Sequence, residues 1–152
     1  MELDPRLHFV VATAIIVKDK KFLIMRRALH EKAFPGKWTV PGGKLVLHEY
    51  NHLQKTAGFP QWYNVIDWVL AKEVKEEAGL EIEKPQYLCD LVFVRPDGYP
   101  VVTLSYWAHY KSGEVKIGKD LIDYAWATAE EAKNYDLIEG IQGELEEVEK
   151  MF

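Results

Sequence analysis

Glu73, Glu76 and Glu77 stand close together in the segment Lys72-Glu73-Val74-Lys75-Glu76-Glu77-Ala78-Gly79-Leu80. On a helix, at about 100° per residue, these three carboxylates fall within about 100° of arc. Like charges on one helical face repel. Two arrangements reconcile them. One is a solvated acidic face relieved by Lys72 and Lys75. The other is a site for hard divalent cations, which prefer oxygen ligands and draw carboxylates together. Taken alone, the cluster favours the solvated face.

Residues upstream reverse that preference. The stretch Gly36-Lys37-Trp38-Thr39-Val40-Pro41-Gly42-Gly43-Lys44-Leu45-Val46-Leu47-His48-Glu49 precedes the cluster. Gly43, five residues, Glu49, and then Lys72-Glu73-x-x-Glu76-Glu77-x-Gly79-Leu80 resembles the Nudix box. The family pattern is Gly, five residues, Glu, seven residues, then Arg-Glu-apolar-x-Glu-Glu-x-Gly-apolar. A preceding hairpin, Val10–Val17 and Phe22–Arg27, is similar to the family's approach to the box, and the resemblance covers roughly residues 9 to 135. This sequence departs from the pattern in three ways. Lys72 replaces the Arg. The gap between Glu49 and Lys72 holds 22 residues rather than seven, which places an insertion of 15 residues at about 50–64. His48 and Val46 stand where a Gly and an acidic residue are common.

The resemblance implies a magnesium-dependent hydrolase that cuts a phosphoanhydride bond. Its substrate would be a nucleoside diphosphate linked to a group X: a phosphate, a sugar (as in nucleotide sugars and ADP-ribose) or another nucleotide. By position, Glu73, Glu76, Glu77 and the backbone carbonyl of Gly43 would hold Mg²⁺, with Mn²⁺ as a substitute. Glu73 is the first choice of general base and Glu49 the second. Lys72 would orient a catalytic glutamate, as a point charge rather than the planar fork of an Arg. Arg26 and Arg27 would face phosphates, although strand alternation points only one of them inward. Trp62 and Tyr63, in the insertion with Tyr50 and Phe59, read as a substrate-contacting wall or as an aromatic cluster packing the loop down.

The implied fold is an α/β/α sandwich with a mixed β-sheet, and the sequence supplies matching elements. Phe9 to Val17 and Lys21 to Arg27 read as strands across a turn at Asp19-Lys20. Trp38 to Val40 is a short extended piece. Val65 to Ala78 reads as a helix, with Ile66, Leu70 and Val74 recurring on one face and Gly79 as its C-terminal cap. Gln86 to Val94 and Val101 to Tyr110 read as strands joined by Arg95-Pro96-Asp97-Gly98. Thr128 to Tyr135 carries a capping-box spacing, Thr128 and Glu131. Glu139 to Lys150 has Ile141, Leu145 and Val148 on one side. Helices and strands alternate too irregularly for a doubly wound sheet.

Composition sets the remaining bounds. A chain of 152 residues fits a single domain spanning 1–152. A net charge of −5 argues against a nucleic-acid polymer as partner and is compatible with a small nucleotide whose phosphates are met by metal ions. No apolar run suits a membrane span, Met1 to Arg6 is polar, and Cys89 is the single cysteine, so a cytoplasmic location is expected. A homodimer is compatible with the resemblance. Two other readings compete. His48-Glu49-Tyr50-Asn51-His52 matches the zinc-peptidase H-E-x-x-H pattern, but it lies in a loop context without a third ligand. A Nudix-like domain that senses a nucleotide without turnover would account for Lys72 and the insertion, yet not for three repelling carboxylates. His8, His30 and His109 read as surface or sheet histidines, Cys89 as a small core residue, and Trp107 and Trp126 as core.

Overall fold

The computed structural model describes residues 4–56 and 58–152; the first three residues and Ala57, inside the 50–64 segment, lie outside the described residues. Two strands, β1 (Phe9–Lys18) and β2 (Lys21–Arg27), form the expected hairpin. Asp19 and Lys20 both take positive φ, 51° and 62°, the conformation that lets a two-residue turn match the twist of the flanking strands. Next come β3 (Trp38–Thr39), β4 (Gly42–Lys44), α1 (Leu47–Tyr50), α2 (Val65–Ala78) and β5 (Glu81–Ile82). Then follow β6 (Gln86–Val94), β7 (Pro100–Ser112), β8 (Leu121–Ala127), α3 (Ala129–Ala132) and α4 (Ile141–Glu149).

The sheet is mixed. Its central path runs β3-β2-β1-β7-β5, with β6 also on β7 and β8 on β2. The β1–β7 pairing is parallel from Phe9↔Val101 to Val17↔His109, while the neighbouring pairings are antiparallel. The other edge of β1 is shared. Near its end, β2 takes Val17 and Lys18, and nearer its start β4 takes Val11, Ala12 and Thr13. This divided edge sets Gly42 and Gly43 against β1. A Cβ at Gly42 would lie 2.6 Å from the Ala12 carbonyl oxygen, so only glycine fits there.

Strand alternation divides the core in two. Ile15, Val17, Phe22 and Ile24 point to the face covered by α3 and α4, through Ala129, Ala132, Ile141, Leu145 and Val148. Ala12, Ala14, Ile16, Leu23 and Met25 point to the opposite face, under Leu70, Val74 and Ala78 of α2. The result is the expected α/β/α sandwich. Helix α2 matches its predicted bounds, and Gly79 ends it at φ 73°, its N–H donating to Lys75 O at 3.0 Å. The Thr128 capping box is formed in both directions, although α3 is only one turn long and ends before Tyr135.

Some expectations need correction. Val40 lies outside β3, because the chain must turn into Pro41 and β4. Strands β4, β5 and β8 and the short α1 carry no distinct signal in the local sequence; pairing with β1, β7 and β2 makes them. Cys89 is half-buried on β6, an edge strand with mostly exposed side chains, rather than a core residue. Trp107 and Trp126 pack only partly buried at the margins of the two cores.

Candidate active site

The seam between α2 and β4 brings the glutamates against the glycine pair. Along α2, residues four, seven and eleven apart share a face, so Ile66, Glu73 and Glu77 form one stripe facing β4. Gly42 N–H donates to Glu77 Oε1 at 3.1 Å. A Cβ at Gly43 would overlap Cγ and Cδ of Glu73. The two glycines therefore let the backbone close on the glutamates with no side chain between them.

Three carboxylates are tied together around Lys72. Its Nζ donates to Glu73 Oε1 at 2.8 Å and lies 3.3 Å from Glu49 Oε2 and 3.6 Å from Glu76 Oε2. Burial alone would lower the pKa of Lys72; hydrogen bonding and the charges of Glu73, Glu49 and Glu76 outweigh it and raise it. Glu49 stands on α1 and reaches the helix across the whole 50–64 excursion. Its Oε2 is buried, and Lys72 approaches it without hydrogen-bond geometry, so it has no hydrogen-bond partner among the described residues. A buried carboxylate oxygen met only by an ammonium, beside a glutamate cluster, has room for a cation or a donor from a ligand.

Glu77 is the most perturbed group. Burial pushes its pKa up to about 7; the Gly42 N–H and the Arg27 charge pull it down, while Glu73 and Glu76 push it further up. A buried carboxylate that resists ionisation gains the most from an added positive charge. Glu73 and Glu77 are thus sheltered, whereas the Glu76 side chain is 60% exposed at the mouth.

These glutamates line a cleft of about 330 Å³ with Arg27, Glu31, Gly42 and the segment Gly118 to Leu121. Arg27 lies on the same strand face as Leu23 and Met25 and points into the cleft. Arg26 points away from it, donating through Nε to Gly36 O at 2.9 Å. Of the two arginines, strand parity selects Arg27. Lys119 supplies a second cation to the cleft. It is held there because Gly118 N–H donates to Glu77 O at 3.0 Å, docking that loop on the end of α2.

Opposite the α2 glutamates, His30, Glu31 and Asp120 bring ligand atoms within 4.8 Å of one another, the one such group of three among the described residues. His30 Nε2 lies 3.5 Å from Asp120 Oδ1, and Arg27 Nη2 lies 3.3 Å from Glu31 Oε2. Lys119, Glu31 and Asp120 carry no signal along the chain, and His30 reads there as a surface or sheet histidine. Some 90 residues separate the two halves of this wall, and only the β2–β8 pairing joins them. The H-E-x-x-H alternative fails on geometry. Helix α1 ends at Tyr50, so His52 lies in the following turn, stacked edge-on to Trp68 at 6.3 Å.

The 51–64 loop carries no helix or strand among its described residues, yet it is closed on itself. Thr56 donates through its N–H and its hydroxyl to Gln61 O at 2.8 and 2.9 Å, and Trp62 Nε1 donates to Leu53 O at 2.8 Å. Trp62 meets Tyr50 edge-on at 5.4 Å. Both rings, with Tyr63, line a second cavity at the other end of the α2–β4 seam.

Comparison with known proteins agrees with this architecture. The NUDIX domain model matches residues 7–147. The nucleoside triphosphatase NudI of Klebsiella pneumoniae is 26% identical over 140 residues, covering 86% of this chain and 89% of that protein. Among solved structures, the MutT NUDIX hydrolase of Burkholderia pseudomallei superposes with a TM-score of 0.74 at 23% identity, covering 94% and 99% of the two chains. The NUDIX domain of Shewanella oneidensis NrtR, solved with ADP ribose, superposes with a TM-score of 0.70 at 17% identity, covering 99% and 94%. A glycine pair closed on buried glutamates, within a matching fold and under a matching family model, has one consistent reading: the chain belongs to the NUDIX family and is a Nudix hydrolase.

Proposed function

We propose that this protein hydrolyses a phosphoanhydride bond in a nucleoside diphosphate linked to a group X, by attack of water on phosphorus, with Mg²⁺ as its ion and Mn²⁺ as a substitute. The observation that carries this reading is the 330 Å³ cleft, where Glu73, Glu76 and Glu77 oppose the cations Arg27 and Lys119. Carboxylates alone would repel a phosphate chain, and cations alone would need no carboxylates. Their combination suits a phosphate chain with divalent cations between the two.

Glu73, Glu76 and Glu77, with the Gly43 carbonyl, would hold Mg²⁺; when bound, the ion supplies charge neutralisation at the phosphates and a more acidic water. The buried Glu77 carboxylate and the buried Glu49 oxygen, met only by Lys72, support the fit. Glu73 is the proposed general base and Glu49 the second choice. Lys72 bridges both, fixing their side chains relative to each other as a positioning residue. Arg27 and Lys119 would bind phosphate oxygens, and Trp62 and Tyr63 would contact the organic part of the substrate. The 50–64 segment is proposed as an insertion within the box of a single domain, closed on itself so that Glu49 still returns to α2.

The relatives suggest where to begin. NudI is named a nucleoside triphosphatase, and the NrtR NUDIX domain was solved with ADP ribose. The test is release of phosphate, pyrophosphate or nucleoside monophosphate from nucleoside triphosphates, nucleotide sugars, ADP-ribose and dinucleoside polyphosphates, with Mg²⁺ and with EDTA. Mg²⁺-dependent cleavage of one group is expected and names X. Cleavage of none, with one compound raising the melting temperature, replaces this reading with nucleotide sensing.

A further inference from the structure

The second cavity, of about 780 Å³, lies along the α2–β4 seam beyond the glutamates. Gly42 meets Glu77, Gly43 meets Glu73, and two residues on Leu45 lines this cavity with Ile66. The seam thus leads from one site to the other. Asp67 and Glu73 are six residues apart, roughly 9 Å along the helix axis, a span within one nucleotide.

The two ends differ in charge. The glutamate cleft contains Arg27 and Lys119; the second cavity contains no Lys or Arg, and its one ionisable acid is Asp67. A phosphate is therefore repelled from it. Tyr50, Trp62 and Tyr63 line it together with the apolar Leu45, Val65 and Ile66. Trp62 is pinned by its bond to Leu53 O and by Tyr50, so this part of the wall is held by the protein itself. Asp67 enters from the first turn of α2 and Tyr106 from β7. The two are close enough that the charge of Asp67 adds to burial in raising the pKa of the Tyr106 hydroxyl. No cation pairs with Asp67 among the described residues.

A neutral planar group with N–H donors fits this arrangement. We propose, building on the hydrolase reading above, that the cavity receives the nucleobase and that Asp67 selects a base carrying an amino group. Guanine fits best, because its N1–H and amino group stand side by side and a carboxylate accepts both. Uracil and thymine present carbonyl oxygens on either side of their single N–H, and these would face the carboxylate. The aromatic wall adds stacking that every base shares, so it contributes affinity without discrimination.

The test is equilibrium binding of GMP, AMP, CMP and UMP to the full-length protein in EDTA, read by tryptophan fluorescence and by calorimetry. Without metal there is no turnover, so the outcome is separate from whether the protein hydrolyses anything. GMP should bind tightest and UMP at least about tenfold weaker, the worth of one hydrogen bond to a charged group. Asp67→Asn, an isosteric change at a half-exposed position, should reduce the GMP-to-UMP ratio to near unity. Trp62→Ala should weaken all four by a similar factor and leave their order intact. UMP binding as tightly as GMP, a ratio unchanged in Asp67→Asn, or ribose 5-phosphate binding as well as GMP would each overturn the assignment.

Discussion

Replacing Glu77 by Gln should cost the protein its activity while making it more stable, and the two effects have one cause. Glu77 has a folded-state pKa of about 7 against 4.5 when exposed, chiefly because it is buried. The sign follows from proton counting. Between pH 4.5 and 7 the folded chain holds a proton on Glu77 that the unfolded chain has released, so stability falls as pH rises through this window and stays low above it. A difference of about 2.5 units corresponds to up to roughly 3 kcal/mol at pH 8. Gln removes the charge, and its carbonyl oxygen can still accept the Gly42 N–H. In EDTA at pH 8, Glu77→Gln should therefore melt on the order of 5–10 °C above the wild type, given the 2–4 °C per kcal/mol expected at this chain length. At pH 5, where Glu77 is already protonated, the two should melt together. Mg²⁺ should raise the wild-type midpoint more at pH 8 than at pH 5, because a carboxylate must be ionised to bind it, and should do little for the variant. Turnover of the variant should fall by orders of magnitude. Calorimetry at the two pH values, with EDTA and with Mg²⁺, decides the matter. Equal melting at pH 8 would refute the argument that burial of a charge, relieved by a cation, is what this position is built for.

Other outcomes follow from the same geometry. Gly43→Ala places a methyl group where Glu73 now lies, and displacing that carboxylate by about 1 Å should lower kcat on the order of 100-fold; a normal kcat would exclude Glu73 from the chemistry. Lys72→Arg should keep or raise activity, because its partners Glu49, Glu73 and Glu76 are all carboxylates that a guanidinium also serves; a collapse would show that the compact ammonium is required. Arg27→Ala should raise KM for the nucleotide by tenfold or more while Arg26→Ala leaves it near normal, because only Arg27 faces the cleft; the reverse order, read from steady-state kinetics, would overturn the parity assignment.

Much of this molecule is legible along the chain. The Val-, Ile- and Thr-rich run of Phe9–Val17, the apolar run Phe22–Met25, the helical repeat of Ile66, Leu70 and Val74, and the stop at Gly79 depend on neighbours in sequence. They appear where local patterning places them. So does the grouping of Glu73, Glu76 and Glu77 on α2, because a helix turns sequence spacing directly into arc. Strand parity alone requires that Arg26 and Arg27 point to opposite faces. Which of them meets the glutamates is a different kind of fact. It depends on which face of the sheet α2 covers, and that is settled only when Leu23 and Met25 pack beneath Leu70 and Val74. Lys119 and Asp120 directly precede strand β8, whose segment, Leu-Ile-Asp-Tyr-Ala-Trp-Ala, lacks a clean alternation, so pairing with β2 is what makes it a strand and brings Asp120 to His30 and Glu31. Asp67 and Tyr106, 39 residues apart in the chain, border one cavity only because α2 packs on the sheet face that carries Tyr106. The sequence by itself determined the residue types, their spacing on each element and the face each one takes. Tertiary packing decided which faces meet, because contacts between elements distant in the chain are set by the burial of both cores together and by no local signal.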